Sequence, residues 1–93
     1  MANNIDPAIH NFAESMQRKL DLNKHKECPK MNPDGEGRSW ERCSSSWLLY
    51  RLRQETLELE DAMSKHDLDA IINESADVGN FAMMIHDIAK SHC

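Results

Sequence analysis

Glycine and proline are scarce in this chain, which carries three of each in 93 residues. Long helices admit few of either residue, because glycine is conformationally permissive and proline removes a backbone donor. Alanine, leucine, glutamate, methionine and lysine are common instead, and all of them favour helices. Strand-like alternation, internal repeats and low-complexity tracts are lacking as well. We therefore expect an all-α fold, and the length leaves room for one small domain over 1–93.

Positive charge is also in short supply, with 11 lysines and arginines against 16 aspartates and glutamates and a net charge of −5. General nucleic-acid binders usually carry a basic patch or stripe, so we expect no nucleic-acid partner. The acidic balance suits a protein that binds cations, although acidity often serves solubility alone. The chain lacks a run of about 18 apolar residues and a signal-peptide pattern. We therefore expect no membrane partner and a cytoplasmic location.

The cysteines are few, odd in number and irregularly spaced, at Cys28, Cys43 and Cys93. The simplest interpretation is a set of free thiols in a reducing cytosol. A zinc site built from His25, Cys28 and Cys43 is conceivable but disfavoured. The chain has no Cys-x-x-Cys pair and no matching second half of such a site.

Capping residues and apolar periodicity predict three helices. The expected helices run over about 6–22, 45–65 and 68–91, with a loop over 23–43. An N-cap aspartate followed by proline, Asp6-Pro7, opens the first helix. The serine cluster 44–46 and Asp67 are suited to cap the other two. Because little more than His66 separates the second helix from the third, these two should form an antiparallel hairpin.

The segment 23–39 is a loop by every local signal, with two prolines, two glycines and almost no periodic apolar residues. It is long for so small a domain, and long loops tend to be functional or disordered. It is also the most basic part of the chain, with Lys24, Lys26, Lys30 and Arg38. Two interpretations stay open: a solvated linker, or a flap that supplies cations to an anionic ligand.

Four acids lie on or beside apolar helix faces. At about 100° per residue, Glu74 falls in the middle of the apolar face of the third helix, and Asp77 falls within it. That face contains Val78, Phe81, Ala82, Ile85 and Ile88. Glu55 and Glu58 share one side of the second helix and border its apolar stripe. That stripe consists of Leu48, Leu49, Leu52, Leu59 and Met63. Ionised carboxylates are expensive to bury without a partner, so these positions call for a counter-charge.

The spacing of these acids predicts a metal site. Two pairs of acids on neighbouring antiparallel helices would place four carboxylates around one cavity. Such oxygen-rich sites bind hard divalent cations, which points to Mg²⁺ or Mn²⁺. A di-iron centre would need Glu-x-x-His on facing helices, and no histidine is in register with either pair. The alternative is a structural polar network or an interface pair, with Arg51 or Arg53 neutralising part of the charge.

The pattern Glu55-x-x-Glu58, fifteen intervening residues, then Glu74-x-x-Asp77 resembles the ExxE…ExxD motif of the MazG-like, all-α nucleoside triphosphate pyrophosphatases. The flanking stretches WLLYRLRQETLELEDAM and NESADVGNFAMMI strengthen the resemblance, which covers about residues 40–88. Members of that superfamily hydrolyse an NTP or dNTP between the α- and β-phosphates, giving the monophosphate and pyrophosphate. The resemblance implies the same activity here, in the cytoplasm, or in the host cytoplasm if the chain is phage-encoded.

The resemblance also implies roles for particular residues. Glu55, Glu58, Glu74 and Asp77 would hold Mg²⁺, with Mn²⁺ as an alternative. The metals would activate a water that attacks the α-phosphate. Glu58 is our candidate for the catalytic base that accepts the proton of that water, because it lies at the edge of the site.

Substrate contacts are expected from residues around the four acids. Asn80, one turn beyond Asp77, is placed to bind a phosphate or a ligand carboxylate, with an exposed helical asparagine as the alternative. Four cations are candidates for gripping the β- and γ-phosphates: Lys24, Lys26, Arg38 and Arg51. Trp40 is a candidate for stacking on a base, whereas core packing suits Trp47 and is open to Trp40 as well.

The chain departs from the family pattern in two places. Many relatives begin the motif with two adjacent acids, and here the first of these is Gln54. Few residues follow the third helix to form the fourth helix that many relatives have, so we expect a homodimer or homotetramer that completes a four-helix-type bundle. Similarity to a short phage and prokaryotic subgroup favours purine deoxynucleotides, dGTP or dATP. A non-catalytic nucleotide- or metal-binding protein and a structural helical oligomer are the alternatives.

Overall fold

The computed structural model describes residues 4–22, 40 and 43–91. Helix α1 is Pro7–Leu22, α2 is Ser45–Ser64 and α3 is Leu68–Ser91. The described residues contain no strand, so the all-α class is confirmed. None of these three helices has both the length and the apolar character that crossing a bilayer requires. Apart from Trp40 and Cys43, the expected loop 23–43 lies outside the described residues.

Side-chain caps fix where the helices begin. Asp6 Oδ1 accepts a hydrogen bond from the backbone amide two residues later at 2.7 Å. Ser44 Oγ and Asp67 Oδ1 each accept from the amide three residues later, both at 3.1 Å. Each bond satisfies a first-turn donor that has no partner within its own helix. The capping groups that the sequence suggested are therefore the ones that the fold uses.

A short turn of residues 65–67 joins α2 to α3. The Lys65 amide donates to Asp61 O at 3.1 Å, and His66 adopts the left-handed conformation with φ of 53°. A left-handed residue just after a helix ends it and redirects the chain. The two helices then pack along each other as the predicted antiparallel hairpin. Helix α2 ends at Ser64, one residue earlier than the sequence suggested.

The apolar core lies between the first half of α2 and the second half of α3. Leu48 is fully buried, and Trp40 and Met84 are buried with it. Trp47 packs edge-on against Phe81, with 6.3 Å between the ring centroids. The acidic residues of the two helices lie beside this core, between it and the α2–α3 turn. Packing of the core therefore fixes how these residues face each other across the hairpin.

Helix α1 packs against α3, and within the described residues it makes no close approach to α2. None of its residues is buried. Gly79 permits the contact with α3, because a Cβ at this position would lie 2.5 Å from Phe12 Cζ. The Asn80 amide nitrogen adds a hydrogen bond to Met16 O at 3.0 Å. A glycine in mid-helix, normally unfavourable, is thus explained by the docking of α1.

Cys43 is disulfide-bonded, which corrects the expectation of a free thiol at this position. Metal ligation requires a thiolate, and a sulfur engaged in a disulfide has none to offer. Cys43 therefore gives no support to the zinc site that the sequence left conceivable.

Candidate metal centre

Three of the four predicted acidic ligands converge between α2 and α3. Glu55, Glu58 and Glu74 each offer a carboxylate oxygen, and these oxygens lie within 4.8 Å of one another. The spacing of three residues puts Glu55 and Glu58 on one side of α2, and the hairpin brings Glu74 to them from α3. We call these three residues the acidic cluster. Within the described part of the chain, no histidine or cysteine belongs to it.

Asp77, the fourth predicted ligand, borders the acidic cluster without joining it at that distance. Its Oδ2 lies 3.5 Å from Lys19 Nζ, and the two side chains are 15% and 18% exposed. Its negative charge nevertheless contributes to raising the pKa values of Glu55 and Glu74. Asp77 therefore belongs to the same electrostatic site, with a cation from α1 as its neighbour.

Of the acids that the structure describes, Glu55 is the most deeply buried, with only 5% of its surface exposed. Burial raises its pKa to about 7, and the negative charge of Glu58 acts in the same direction. Arg51 opposes the shift, because its Nη2 donates to Glu55 Oε2 at 3.0 Å. One internal arginine therefore does not offset the cost of this buried carboxylate.

Glu74 has a buried carboxylate oxygen, Oε1, that lacks a hydrogen-bond donor among the described residues. Burial raises the pKa of Glu74, with further contributions from the charges of Glu58 and Asp77 and from a side-chain hydrogen bond with Glu58. Burial also raises the pKa of Asp77, although Lys19 opposes this shift. Because buried polar atoms almost always have a partner, the Glu74 oxygen fits a site that takes up a cation.

The donor set suits a hard divalent cation. All the converging atoms are carboxylate oxygens, the ligands that Mg²⁺ and Mn²⁺ prefer. Burial is the largest cause of the raised pKa values of Glu55, Glu74 and Asp77, and the negative charge of Glu58 adds repulsion at all three. A cation among these oxygens would remove that repulsion, so the residues fit the predicted metal.

Arg51 has three partners inside the protein. It bonds Glu55, donates to Gln54 Oε1 at 2.6 Å, and lies over the Phe81 ring at 5.1 Å from its centroid. The guanidinium thus faces the acidic cluster, as the charge-neutralising alternative required. A contact to phosphate stays a prediction for Arg51. The other predicted phosphate-binding cations, Lys24, Lys26 and Arg38, lie outside the described residues.

Trp40 and Asn80 are both buried. Trp40 packs in the core with Leu48, and its Nε1 donates to Asp87 Oδ2 at 3.1 Å. The structure thus places Trp40 in the core-packing role that the sequence left open. Asn80 is 5% exposed, so the alternative of an exposed helical asparagine is wrong. Its Nδ2 donates a hydrogen bond to Met16 O, while its Oδ1 is buried with no hydrogen-bond partner among the described residues.

An open cleft of about 480 Å³ extends from the acidic cluster to the α2–α3 turn. Its lining comprises Leu57, Glu58, Asp61, Ala62, Lys65, Asp67, Ala70 and Glu74. Lys65 pairs with Asp61 at 2.9 Å on the rim. The volume lies in the usual range for small-molecule sites. The cleft gives a ligand direct access to Glu58 and Glu74.

Two cations near the acids, Lys19 and Lys65, were missed by sequence reasoning. The four-residue spacing of Asp61 and Lys65 on one helix was a usable signal for the second. No local signal places Lys19 beside Asp77, because that contact depends on how α1 docks.

Comparison of the chain with family models, curated proteins and solved structures finds no match. The resemblance to the MazG-like pyrophosphatases therefore rests on the quoted motif and its flanking residues.

Proposed function

We propose that this protein is a Mg²⁺-dependent nucleoside triphosphate pyrophosphohydrolase. It would cleave a (d)NTP between the α- and β-phosphates, with purine deoxynucleotides, dGTP or dATP, as preferred substrates. The carrying observation is the convergence of Glu55, Glu58 and Glu74 within 4.8 Å, with a buried Glu74 oxygen left unpartnered. This supports a cation site, and the resemblance of the motif supplies the reaction class.

The proposed role of each acid follows from how exposed its side chain is. Glu55 and Glu74 hold the cation from the buried side, and Asp77 adds its charge beside them. Glu58 is exposed, so it can reach the attacking water and accept its proton. Bound Mg²⁺ or Mn²⁺ would lower the pKa of that water and neutralise charge at the α-phosphate.

Nucleotide binding should depend on the metal. The cleft beside the cluster carries Glu58, Asp61, Asp67 and Glu74 against one lysine, Lys65. A triphosphate would be repelled by this lining unless a divalent cation came between them. Lys65 lies on the cleft and is a further candidate for contacting phosphate, in addition to the cations predicted in 23–39.

A homodimer or homotetramer is part of this proposal. Large apolar side chains on both hairpin helices stay exposed in the single chain. Leu57, Met63 and Leu68 are examples. A second copy that covers such residues would complete the helical bundle around the site.

A structural helical oligomer is the second candidate function, and one observation favours it. Two of the four acids already have cationic partners, Glu55 with Arg51 and Asp77 with Lys19. Paired acids of this kind also occur in purely structural networks. The two candidates differ in what happens when Glu74 loses its charge.

The test is a panel of dNTPs and NTPs with Mg²⁺, assayed for monophosphate and pyrophosphate. Glu74→Gln should lower turnover by about two orders of magnitude or more, since it removes a metal ligand but little volume. Glu60→Gln, an exposed acid on α2, is the matched control and should retain activity. The metal-free Glu74→Gln protein should stay folded or gain stability.

Two results would count against the enzyme. No turnover of any triphosphate would refute the proposed reaction. If Glu74→Gln unfolds the protein instead, the acid is part of a structural network and the second candidate is favoured.

A further inference from the structure

Lys19 on α1 is held unusually far from water for a lysine. Its side chain is 18% exposed, and its ammonium lies 3.5 Å from Asp77 Oδ2. Lysine normally buries its stem and keeps the strongly hydrated ammonium in solvent. The negative charge of Asp77 and the neighbouring acidic cluster accounts for its inward position. Lys19 thus acts as a counter-ion of the site in the metal-free protein.

Among the described residues, a second cation beside the acids is Arg51, which is held more firmly than Lys19. Arg51 is fixed by Glu55, by Gln54 and by the Phe81 ring. Among the described residues, the polar contact of the Lys19 ammonium is the ion pair with Asp77. Its flexible stem lets the ammonium return to solvent without moving the backbone. Of the two cations, Lys19 is therefore the one that an incoming ion can displace.

The ion pair is also one of few ties between α1 and the hairpin. Helix α1 contacts α3 alone among the described helices, and none of its residues is buried. Its other polar ties are the Asn80 bond to Met16 O and a bond from Arg18 Nη2 to Asn73 Oδ1 at 2.8 Å. Loss of the Lys19–Asp77 pair would therefore weaken the docking of α1.

We propose that a divalent cation at the acidic cluster displaces Lys19 from Asp77, so that metal binding and the docking of α1 oppose each other. The inference rests on the proposed function, because it requires a cation at Glu55, Glu58 and Glu74. A divalent cation at the acidic cluster would attract the bordering Asp77 carboxylate and repel the Lys19 ammonium beside it, and salt screens such a partly buried site poorly. Lys19 is a positioning residue in this scheme, since it acts through Asp77.

The first experiment is a titration of the nucleotide-free protein with Mn²⁺. Binding is measured by calorimetry and by the electron paramagnetic resonance signal of free Mn²⁺. Lys19→Met keeps the apolar stem and removes the competing charge. Arg18→Met removes a positive charge and a tie of α1 at the adjacent position, so it controls for net charge and for α1 docking. Lys19→Met should bind Mn²⁺ roughly three- to tenfold more tightly than the wild type, as expected for one partly buried charge interaction. Arg18→Met should stay within about twofold of the wild type, because exposed charges are largely screened.

The outcomes separate this inference from the proposed function. Equal Mn²⁺ affinities of Lys19→Met and Arg18→Met, or weaker binding by Lys19→Met, would overturn the displacement of Lys19 and leave the metal site standing. Absence of Mn²⁺ binding by the wild type and both variants would overturn the metal site and this inference together.

Hydrogen exchange of the wild-type protein tests the same inference without any substitution. Saturating Mg²⁺ should slow exchange of backbone amides in α2 and α3, which the metal links. In α1 it should speed exchange, because the helix loses its tie to Asp77. Slower exchange in α1 together with the hairpin would overturn the proposal.

Discussion

At the scale of single residues, Glu55 combines burial and crowding of like charges in one carboxyl group. Both influences raise its pKa, from an ordinary value of 4.5 to about 7, despite the bond from Arg51. Near neutral pH the metal-free protein thus holds a proton at Glu55 for much of the time. Metal ligation needs the deprotonated carboxylate, so metal binding should release protons and tighten as pH rises.

The same shift predicts how stability depends on pH. Between about pH 4.5 and 7 the native protein retains a proton at Glu55 that the unfolded chain has released. The native state then binds more protons than the unfolded state, so the free energy of unfolding must fall as pH rises through this window. The raised pKa values of Glu74 and Asp77 act in the same direction. Urea unfolding of the metal-free protein should show a loss of about 2 kcal/mol from pH 5 to pH 8.

Two controls identify the carboxyl group responsible. Glu55→Gln should reduce the pH dependence, since the amide does not titrate, and should leave the part that Glu74 and Asp77 contribute. Saturating Mg²⁺ at pH 8 should restore stability to the wild type, because the ion binds the native state alone. A free energy of unfolding that rises from pH 5 to pH 8 without metal would contradict the electrostatic account of the cluster.

At the scale of elements, the position of α1 depends on the absence of a side chain at Gly79. A Cβ there would lie 2.5 Å from Phe12 Cζ and 2.9 Å from Phe12 Cε2. Gly79→Ala should therefore push the Phe12 ring outward and loosen α1. Alanine also favours a helix by up to about 1 kcal/mol over glycine, so global stability should change little. Faster hydrogen exchange in α1, with an unfolding midpoint near that of the wild type, is the expected result.

A double variant separates the steric effect from helix propensity. In a Phe12→Ala background the alanine at position 79 meets no ring. Its remaining close neighbour, the flexible side chain of Met16 with Sδ at 3.3 Å, has to shift only slightly, so the gain in helix propensity dominates. Gly79→Ala should then stabilise the protein by up to about 1 kcal/mol in urea unfolding. If Gly79→Ala has the same effect in both backgrounds, Phe12 does not pack against this glycine.

The elements themselves could be predicted from the sequence, but their docking could not. Caps such as Asp6, Ser44 and Asp67 act within a few residues, so local pattern locates the helices. Periodicity also placed Glu74 on the inner face of α3, and the hairpin then brought it to α2. The contact of Lys19 with Asp77 depends on the crossing of α1 over Gly79, which no local pattern encodes. The burial of Asn80 was missed for the same reason, since its partner Met16 lies on α1.

At the scale of the whole molecule, one chain leaves part of its predicted core uncovered. Leu49 and Met63 fall in the apolar stripe expected for α2, yet they are 41% and 56% exposed. On α3, Leu68 and Ile72 are exposed too, at 73% and 50%. Single exposed apolar residues are normal on a protein surface, whereas several on one hairpin would suit a surface that packs against another chain. The sequence pattern fits a larger core than a single chain builds.

We therefore predict that the protein in solution has at least twice the mass of one chain, as measured by size-exclusion chromatography with light scattering. Leu68 and Ile72 lie four residues apart on one face of α3, so Leu68→Lys with Ile72→Lys places two like charges in that face. This double variant should shift the mass toward the monomer if α3 forms the interface. Ile5 and Ile9 near the start of α1, 56% and 60% exposed and also four residues apart, provide the matched control. Replacing both with lysine should leave the mass unchanged. A monomeric wild type at about 100 μM would refute the oligomer, since obligate interfaces form at far lower concentrations.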